Sequence, residues 1–388
     1  MQSYFQPLKY NCFYNLTKRL KTPTIKKNKE YRTIVMPLKA SKIKDLIKNK
    51  QFELAMQQLE NADTLDLYLL RGDLKYEMED YEGAEKDFTK ALELDSQNLK
   101  AYNNRGNCRG NLGLYEDAIK DYNRAIEIDP NYSEAYFNRG FVKYNQRHIK
   151  DAIADYNKAI ELDPNNFMAY NNRGNAKNYL KDYDNAILDF DKSIELYSSH
   201  NTYFNRALAK ENIENYEGSI ADYNKAIELN PNDYQIYKKR AYSKYKIDDY
   251  KGAIADYNKT LELHPNDFES IISLGILELE LEQYQEAYNT FTSAIKIDAE
   301  FPDIYLNRAI AECALCRFDE ALQDIEKLFG FNNVFKNDYI SLFNKLSEIL
   351  EDLSENQKSN EKAQNFAKRL ENYKSIVNNT DFRKEFKK

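Results

Sequence analysis

Tyrosine returns along this chain at an almost fixed interval. Tyr68, Tyr102, Tyr136, Tyr170, Tyr203 and Tyr237, then Ile271, then Tyr305, follow one another at 34, 34, 34, 33, 34, 34 and 34 residues. The hexapeptide around three of them reads AYNNRG or AYFNRG, at 101–106, 135–140 and 169–174. A register held over most of a 388-residue chain means one supersecondary unit used eight times, because separate domains would not keep a common period.

With Leu99 as position 1, the tyrosine is position 4 and each copy reads as two amphipathic helices. In residues 133–166 apolar and small residues recur at steps of three and four, and the pattern breaks between Tyr144 and Lys150. Pro130, Pro164, Pro231 and Pro265 mark where the second helix must stop, since proline lacks the amide hydrogen that a helix interior needs. Position 8 holds only glycine or alanine and position 20 only alanine or serine. Such small side chains predict a close helix contact, with Tyr or Phe at positions 4 and 24 filling the space beside it.

These features resemble the tetratricopeptide repeat (TPR) family: the 34-residue period, small residues at 8 and 20, aromatics at 4, 17 and 24, and the late proline. The resemblance implies an all-α, right-handed superhelical solenoid of stacked antiparallel helix pairs, whose first helices line a concave groove that binds peptides or partner proteins. The family's Trp at position 4 and Leu at position 7 are absent; this chain has no Trp and carries Arg at 7. The expected organisation is a basic, disordered leader over 1–37, a degenerate capping helix pair over 38–64, eight repeats over 65–335, C-terminal capping helices over 336–378 and a tail over 379–388. Phe52, Ala55 and Leu59 occupy the aromatic, small and large places of the shortened first cap, and Ser354 to Gln357 reads as a capping box opening the last helix.

The arginines have a pattern of their own. Position 7 reads Arg71, Arg105, Arg139, Arg173, Arg206, Arg240, Leu274 and Arg308, and position 23 reads Asp87, Asp121, Asp155, Asp189, Asp222, Asp256, Thr290 and Asp324. Both charges vanish together in the seventh repeat. Pairing between neighbouring repeats would strand Asp256 and Arg308 there, whereas pairing inside each repeat strands nothing. The expectation is therefore an internal, structural Arg to Asp bridge between the two helices of a repeat.

Composition narrows the functional classes. The net charge is -7, yet residues 1–42 contain ten Lys or Arg and one acid, which leaves -16 on the remainder. An acidic body argues against a nucleic-acid partner, and no apolar run approaches the ~20 residues that cross a bilayer. Cys12, Cys108, Cys313 and Cys316 are too few and uneven for a secreted disulfide framework, so an intracellular, cytoplasmic setting is expected. The basic start leaves organellar targeting as an alternative, and Met36 another start of the mature chain. His148, His200 and His264 have no repeated carboxylate or thiol around them, and the glycines fall at position 8, turns or helix ends, leaving no phosphate loop. Neither an enzyme nor a cofactor or metal site is expected. The CxxC at Cys313 and Cys316 has no second pair, so it reads as reduced, partly buried thiols.

In the family the inner face is formed by positions 2, 5, 6, 9, 12 and 13. Position 6 presents Asn104, Asn138, Asn172 and Asn205 in four consecutive repeats. An amide side chain offers both a donor and an acceptor, which is what an extended peptide backbone requires. Some TPR superhelices hold peptides with such a ladder, and this stretch looks like one. Phe137, Phe141, Tyr144, Asn171, Asn175, Phe204, Lys238 and Tyr242 surround it as further candidate peptide contacts. Asn also recurs at position 25, on the outer helix. Chaperone-binding members grip a C-terminal carboxylate with a clamp of Lys, Asn and Arg across three repeats; no three consecutive repeats supply that set here, which disfavours an Hsp70 or Hsp90 partner. In repeats seven and eight the inner positions turn apolar (Ile272, Ile276, Leu279, Leu306, Ile310), as expected where terminal helices cover them. The leading expectation is a non-enzymatic scaffold for an extended segment of another protein; the alternatives are an RNA-binding helical-repeat protein and a regulatory subunit of a partner enzyme.

Overall fold

The structure, a computed structural model, describes residues 43, 46, 51–60, 62–331, 336–353, 355–358 and 360–378. The leader with Cys12 and Met36, the tail and Ser354 of the expected capping box lie outside the described residues. Every regular element among the described residues is a helix. The chain divides into two compact units, Met1–Glu214 and Asn215–Lys388.

In the first unit, Phe52–Leu59 is followed by four helix pairs, Leu65–Glu77 with Tyr81–Leu94, Leu99–Asn111 with Tyr115–Ile128, Ser133–Asn145 with Ile149–Leu162 and Phe167–Tyr179 with Tyr183–Leu196, and then by His200–Asn212. The second unit begins with Tyr216–Leu229. It continues with the pairs Tyr234–Lys246 with Tyr250–Leu263, Phe268–Glu280 with Tyr284–Ile297 and Pro302–Ala314 with Phe318–Phe329, and ends in Lys336–Asp352, Glu355–Lys358 and Glu361–Asn378.

The turns between paired helices are set by local chemistry. Asp80, Asn215 and Asp249 accept hydrogen bonds from the backbone N–H of Gly83, Gly218 and Gly252 at 2.9, 2.9 and 3.0 Å, capping the second helices. The first helices end on a residue in the left-handed region, Gly113 in the second repeat but Glu79, Arg147, Lys181, Glu214, Asp248, Glu282 and Cys316 elsewhere, at φ of 56 to 76°. The Asp182 N–H closes the turn on the Lys177 carbonyl at 2.9 Å. A side chain costs energy in that backbone conformation, so Lys181→Gly is expected to raise stability by about 0.5 to 1 kcal/mol. A higher urea midpoint without a change of slope is the expected reading; a lower midpoint would contradict it.

Small residues meet rings inside each pair. A Cβ added at Gly72, Gly106, Gly174 or Gly275 would lie 2.7 Å from the ring at position 24 of the same repeat, and those rings, Phe88, Tyr122, Phe190 and Phe291, are wholly buried. Ala118, Ala152 and Ala186 at position 20 are likewise inaccessible. The Tyr122 hydroxyl donates to Asn107 at 2.8 Å, whereas in the next repeat Phe141 stands at that place and the buried Tyr156 hydroxyl faces the Asn172 side chain instead, without a close hydrogen bond. Ala55 and Leu59 pack with Ile43, Leu67 and Leu74 at the start of the array. At the other end Leu342, Phe343, Phe366 and Leu370 of the terminal helices form one cluster with repeat eight, and Leu306 and Ile310 pack against it. The apolar inner face of repeat eight is thus covered as expected, while Ile276 of repeat seven keeps 39% exposure.

Candidate functional site

In six repeats the arginine at position 7 bridges to the aspartate sixteen residues on, with both guanidinium nitrogens of one edge on both carboxylate oxygens. The shortest contacts are 2.6 Å for Arg71 and Asp87, 2.7 Å for Arg105 and Asp121, 2.6 Å for Arg139 and Asp155, 2.5 Å for Arg173 and Asp189, 2.5 Å for Arg240 and Asp256, and 2.7 Å for Arg308 and Asp324. The remaining nitrogen reaches the preceding repeat at position 25: Arg105 donates to Thr89, Arg139 to Asn123, Arg173 to Asn157, Arg206 to Asp191 and Arg240 to Asn224, at 2.6 to 3.3 Å. The recurring Asn on the outer helix therefore has a structural cause. It accepts the next repeat's guanidinium, and one arginine ties three helices together.

The tyrosine at position 4 completes the arrangement. Its ring lies 5.4 to 5.8 Å from the guanidinium carbon three residues on, from Tyr68 under Arg71 to Tyr305 under Arg308. These rings were expected to be core; most are instead half-buried bases for the arginines. The buried aspartates gain a second cation at position 11, with Lys75, Arg109, Lys143, Lys177 and Lys244 at 2.7 to 2.8 Å. In repeat seven the whole cluster is exchanged at once for Ile271, Leu274, Glu278 and Thr290. Asp222 is buried in the second unit.

At 100° per residue, positions 2, 6 and 13 of a first helix point away from its partner helix and positions 5, 9 and 12 flank them. There the structure departs from an open ladder. Asn104, Asn138 and Asn205 are buried, and each bonds across to the preceding first helix: Asn104 to Asp73 at 2.7 Å, Asn138 to Asn103 at 3.0 Å and Asn205 to Asn171 at 3.2 Å. Asn103 in turn donates to Glu134 at 3.1 Å. For Asn138 and Asn205 the physical reason is an alternation at position 5, where Asn103 and Asn171 alternate with Phe137 and Phe204, while Asn104 finds Asp73 at position 9 of repeat one. Wherever position 5 is Asn, the next repeat's Asn finds a partner and links the helices.

Repeat four is different, because its predecessor offers Phe137. The Asn172 carbonyl accepts from Asn171 at 3.2 Å, and the Asn172 side chain faces the buried Tyr156 hydroxyl. Asn175, itself only 6% exposed, makes no side-chain hydrogen bond among the described residues, and the buried Asn178 oxygen has no partner. Phe137, Phe141, Tyr144 and Phe204 were expected as peptide contacts; each is buried in helix packing, at 3 to 8% exposure. The accessible ring is Tyr179, 50% exposed, edge-on to Tyr144 at 6.3 Å and beneath the Arg147 guanidinium at 5.4 Å. Its place at position 13 was visible in the sequence, but exposure was not.

In the second unit, Lys238 was expected as a groove cation. It is instead held by Asp267 at 3.1 Å and Glu269 at 2.5 Å, which raise its pKa against the opposing effect of burial. Tyr242 is open at 42%, with Lys246 5.4 Å above its ring. Cys108 and Cys313 are buried free thiols, and burial pushes Cys313 up to about 12. No described helix is long and apolar enough to cross a membrane.

Family models described as tetratricopeptide repeat match residues 65–98, 99–132, 133–166, 167–200 and 200–233. Residues 65–233 are accordingly tetratricopeptide repeats, and the described helix pairs are those of such an array. Among solved structures it is similar to the C-terminal part of a TPR repeat-containing protein from Cytophaga hutchinsonii, at 20% identity and a TM-score of 0.50, covering 60% of this chain and 96% of that one. PilF of Pseudomonas aeruginosa gives 21% identity, a TM-score of 0.46 and coverage of 52% and 92%. YrrB, described as a TPR protein with an unusual peptide-binding site, gives 19%, 0.42 and coverage of 50% and 97%. No curated protein matches the sequence.

Proposed function

We propose that this TPR scaffold is a non-enzymatic interaction protein that holds an extended segment of another protein against the inner face of its first unit, with repeat four at the centre. The observation that carries this reading is the unmet hydrogen-bonding capacity of Asn175 and Asn178 beside Asn172. These side chains and Tyr179 share one helix face, at steps of three and four residues. A buried amide oxygen without a partner costs about 1 to 3 kcal/mol, and a peptide N–H is a natural group to relieve it. An extended strand also presents donors and acceptors at ~3.3 Å per residue, so one helix face can engage several of its amides. Asn104, Asn138 and Asn205 then fix the spacing of the first helices rather than gripping the ligand themselves. Neighbouring groups favour a neutral segment: across positions 2, 5, 6, 9, 12 and 13 of repeats two to five the charges are Lys100, Glu134 and Glu211.

Capture of partners by the full chain, followed by photo-crosslinking, tests this. A photo-reactive residue in place of Tyr179 is expected to label the partner, and one in place of Leu188, 63% exposed on the second helix of the same repeat, is not. Labelling from position 188 alone would refute the assignment.

A further inference from the structure

Position 11 carries a cation in repeats one to six and a glutamate in the last two, Glu278 and Glu312. Both are buried, at 7% and 2% exposure, and each has one carboxyl oxygen with no hydrogen-bond partner. The exchange is not a simple reversal of an ion pair. In repeat seven, Leu274 and Thr290 leave Glu278 without a facing arginine, and the groups that face it are Thr290 and Glu286 of the second helix. In repeat eight, Arg308 gives its bidentate edge to Asp324 at 2.7 Å and approaches Glu312 only at 3.5 Å; Glu320 adds a further negative charge. Two carboxyls therefore share one guanidinium inside a helix contact.

We propose that Glu278 and Glu312 make repeats seven and eight a proton-dependent clasp, closed when both carboxyls hold a proton and loosened when they lose it. A neutral carboxyl fits both places: Glu312 bonds to Asp324, and Glu278 faces the Thr290 hydroxyl and the Glu286 carboxyl with no cation beside it among the described residues. An ionised one places an uncompensated charge where water cannot reach it. Burial is the main cause in both cases: it pushes Glu278 up to about 7 against the opposing Thr290 hydrogen bond and with the Glu286 charge adding, and Glu312 up to about 8, with Asp324 and Glu320 adding and Arg308 opposing. The folded state thus binds more protons than the unfolded chain, so stability is full below the ordinary glutamate range of about 4.5 and falls as pH rises towards those values. The neighbouring Arg308 to Asp324 fork, present at both ends of this range, does not set the direction.

Hydrogen exchange of the full chain between pH 6 and 9, corrected for intrinsic rates, reads the clasp directly. The opening equilibrium of 268–329 is expected to rise about tenfold per pH unit for each carboxylate until its folded value is reached, then level off. First helices of repeats two to four serve as the internal reference and should show no such rise. Glu278→Gln with Glu312→Gln, the uncharged counterparts, should hold the region protected and flat across the range. A flat wild type, or a double variant that keeps the wild-type slope, would overturn the proposal. A double variant that fails to fold would count against it too, and the wild-type profile decides independently.

Discussion

Replacing Arg139 by leucine is expected to destabilise the protein by about 3 kcal/mol, the low end of the range for breaking a buried ion pair. The loss is large because Asp155 is buried at 4% exposure and would keep only Lys143, at 2.7 Å. Asp155→Thr should cost a similar amount, since it leaves Arg139 and Lys143 facing each other. The double change Arg139→Leu with Asp155→Thr reproduces the pair that repeat seven already tolerates, Leu274 with Thr290. It should cost less than the two single changes together, by about 1 to 3 kcal/mol of coupling. Lys143, 21% exposed in its side chain, can then turn to solvent. Urea denaturation of the four chains measures the cycle. Strict additivity would mean that the bridge contributes nothing beyond the two side chains.

The fold was legible because its determinants recur. A small residue at position 8 facing a ring at position 24 is a local rule, and eight copies make it unmistakable. The Arg to Asp pairing could also be reasoned from covariation within the chain, Leu274 appearing with Thr290. What the sequence hid was the third contact of each arginine. Asn123 and Asn157 look like scattered asparagines until the next repeat is stacked against them. The same limit applied to the inner face. Asn at position 6 reads identically in Asn138 and Asn172, yet one is fixed by Asn103 and the other follows a repeat that carries Phe137 there, because the deciding residue lies in the preceding repeat at position 5. Period and face are properties of one helix; partnership needs two.

That distinction separates two sets of asparagines, and the second large effect follows from it. Asn172, Asn175 and Asn178, changed together to alanine, remove amides that the free protein leaves largely unengaged, so folding should be little affected. At about 0.5 to 1.5 kcal/mol for each net hydrogen bond, partner affinity should fall roughly tenfold to a thousandfold. Asn104, Asn138 and Asn205 changed to alanine should behave in the opposite sense. Each leaves a partner, the buried Asn103 or the half-buried Asp73 or Asn171, without its present bond, and the stability loss should reach about 1 to 3 kcal/mol at Asn138, whose partner is buried, and less at the other two. The dissociation constant of the captured partner for the Asn172, Asn175 and Asn178 triple variant, measured by calorimetry beside a denaturation midpoint, is the most direct test of where this scaffold binds. A wild-type midpoint with affinity weakened at least tenfold is predicted; a wild-type midpoint with wild-type affinity would contradict a binding site on repeat four.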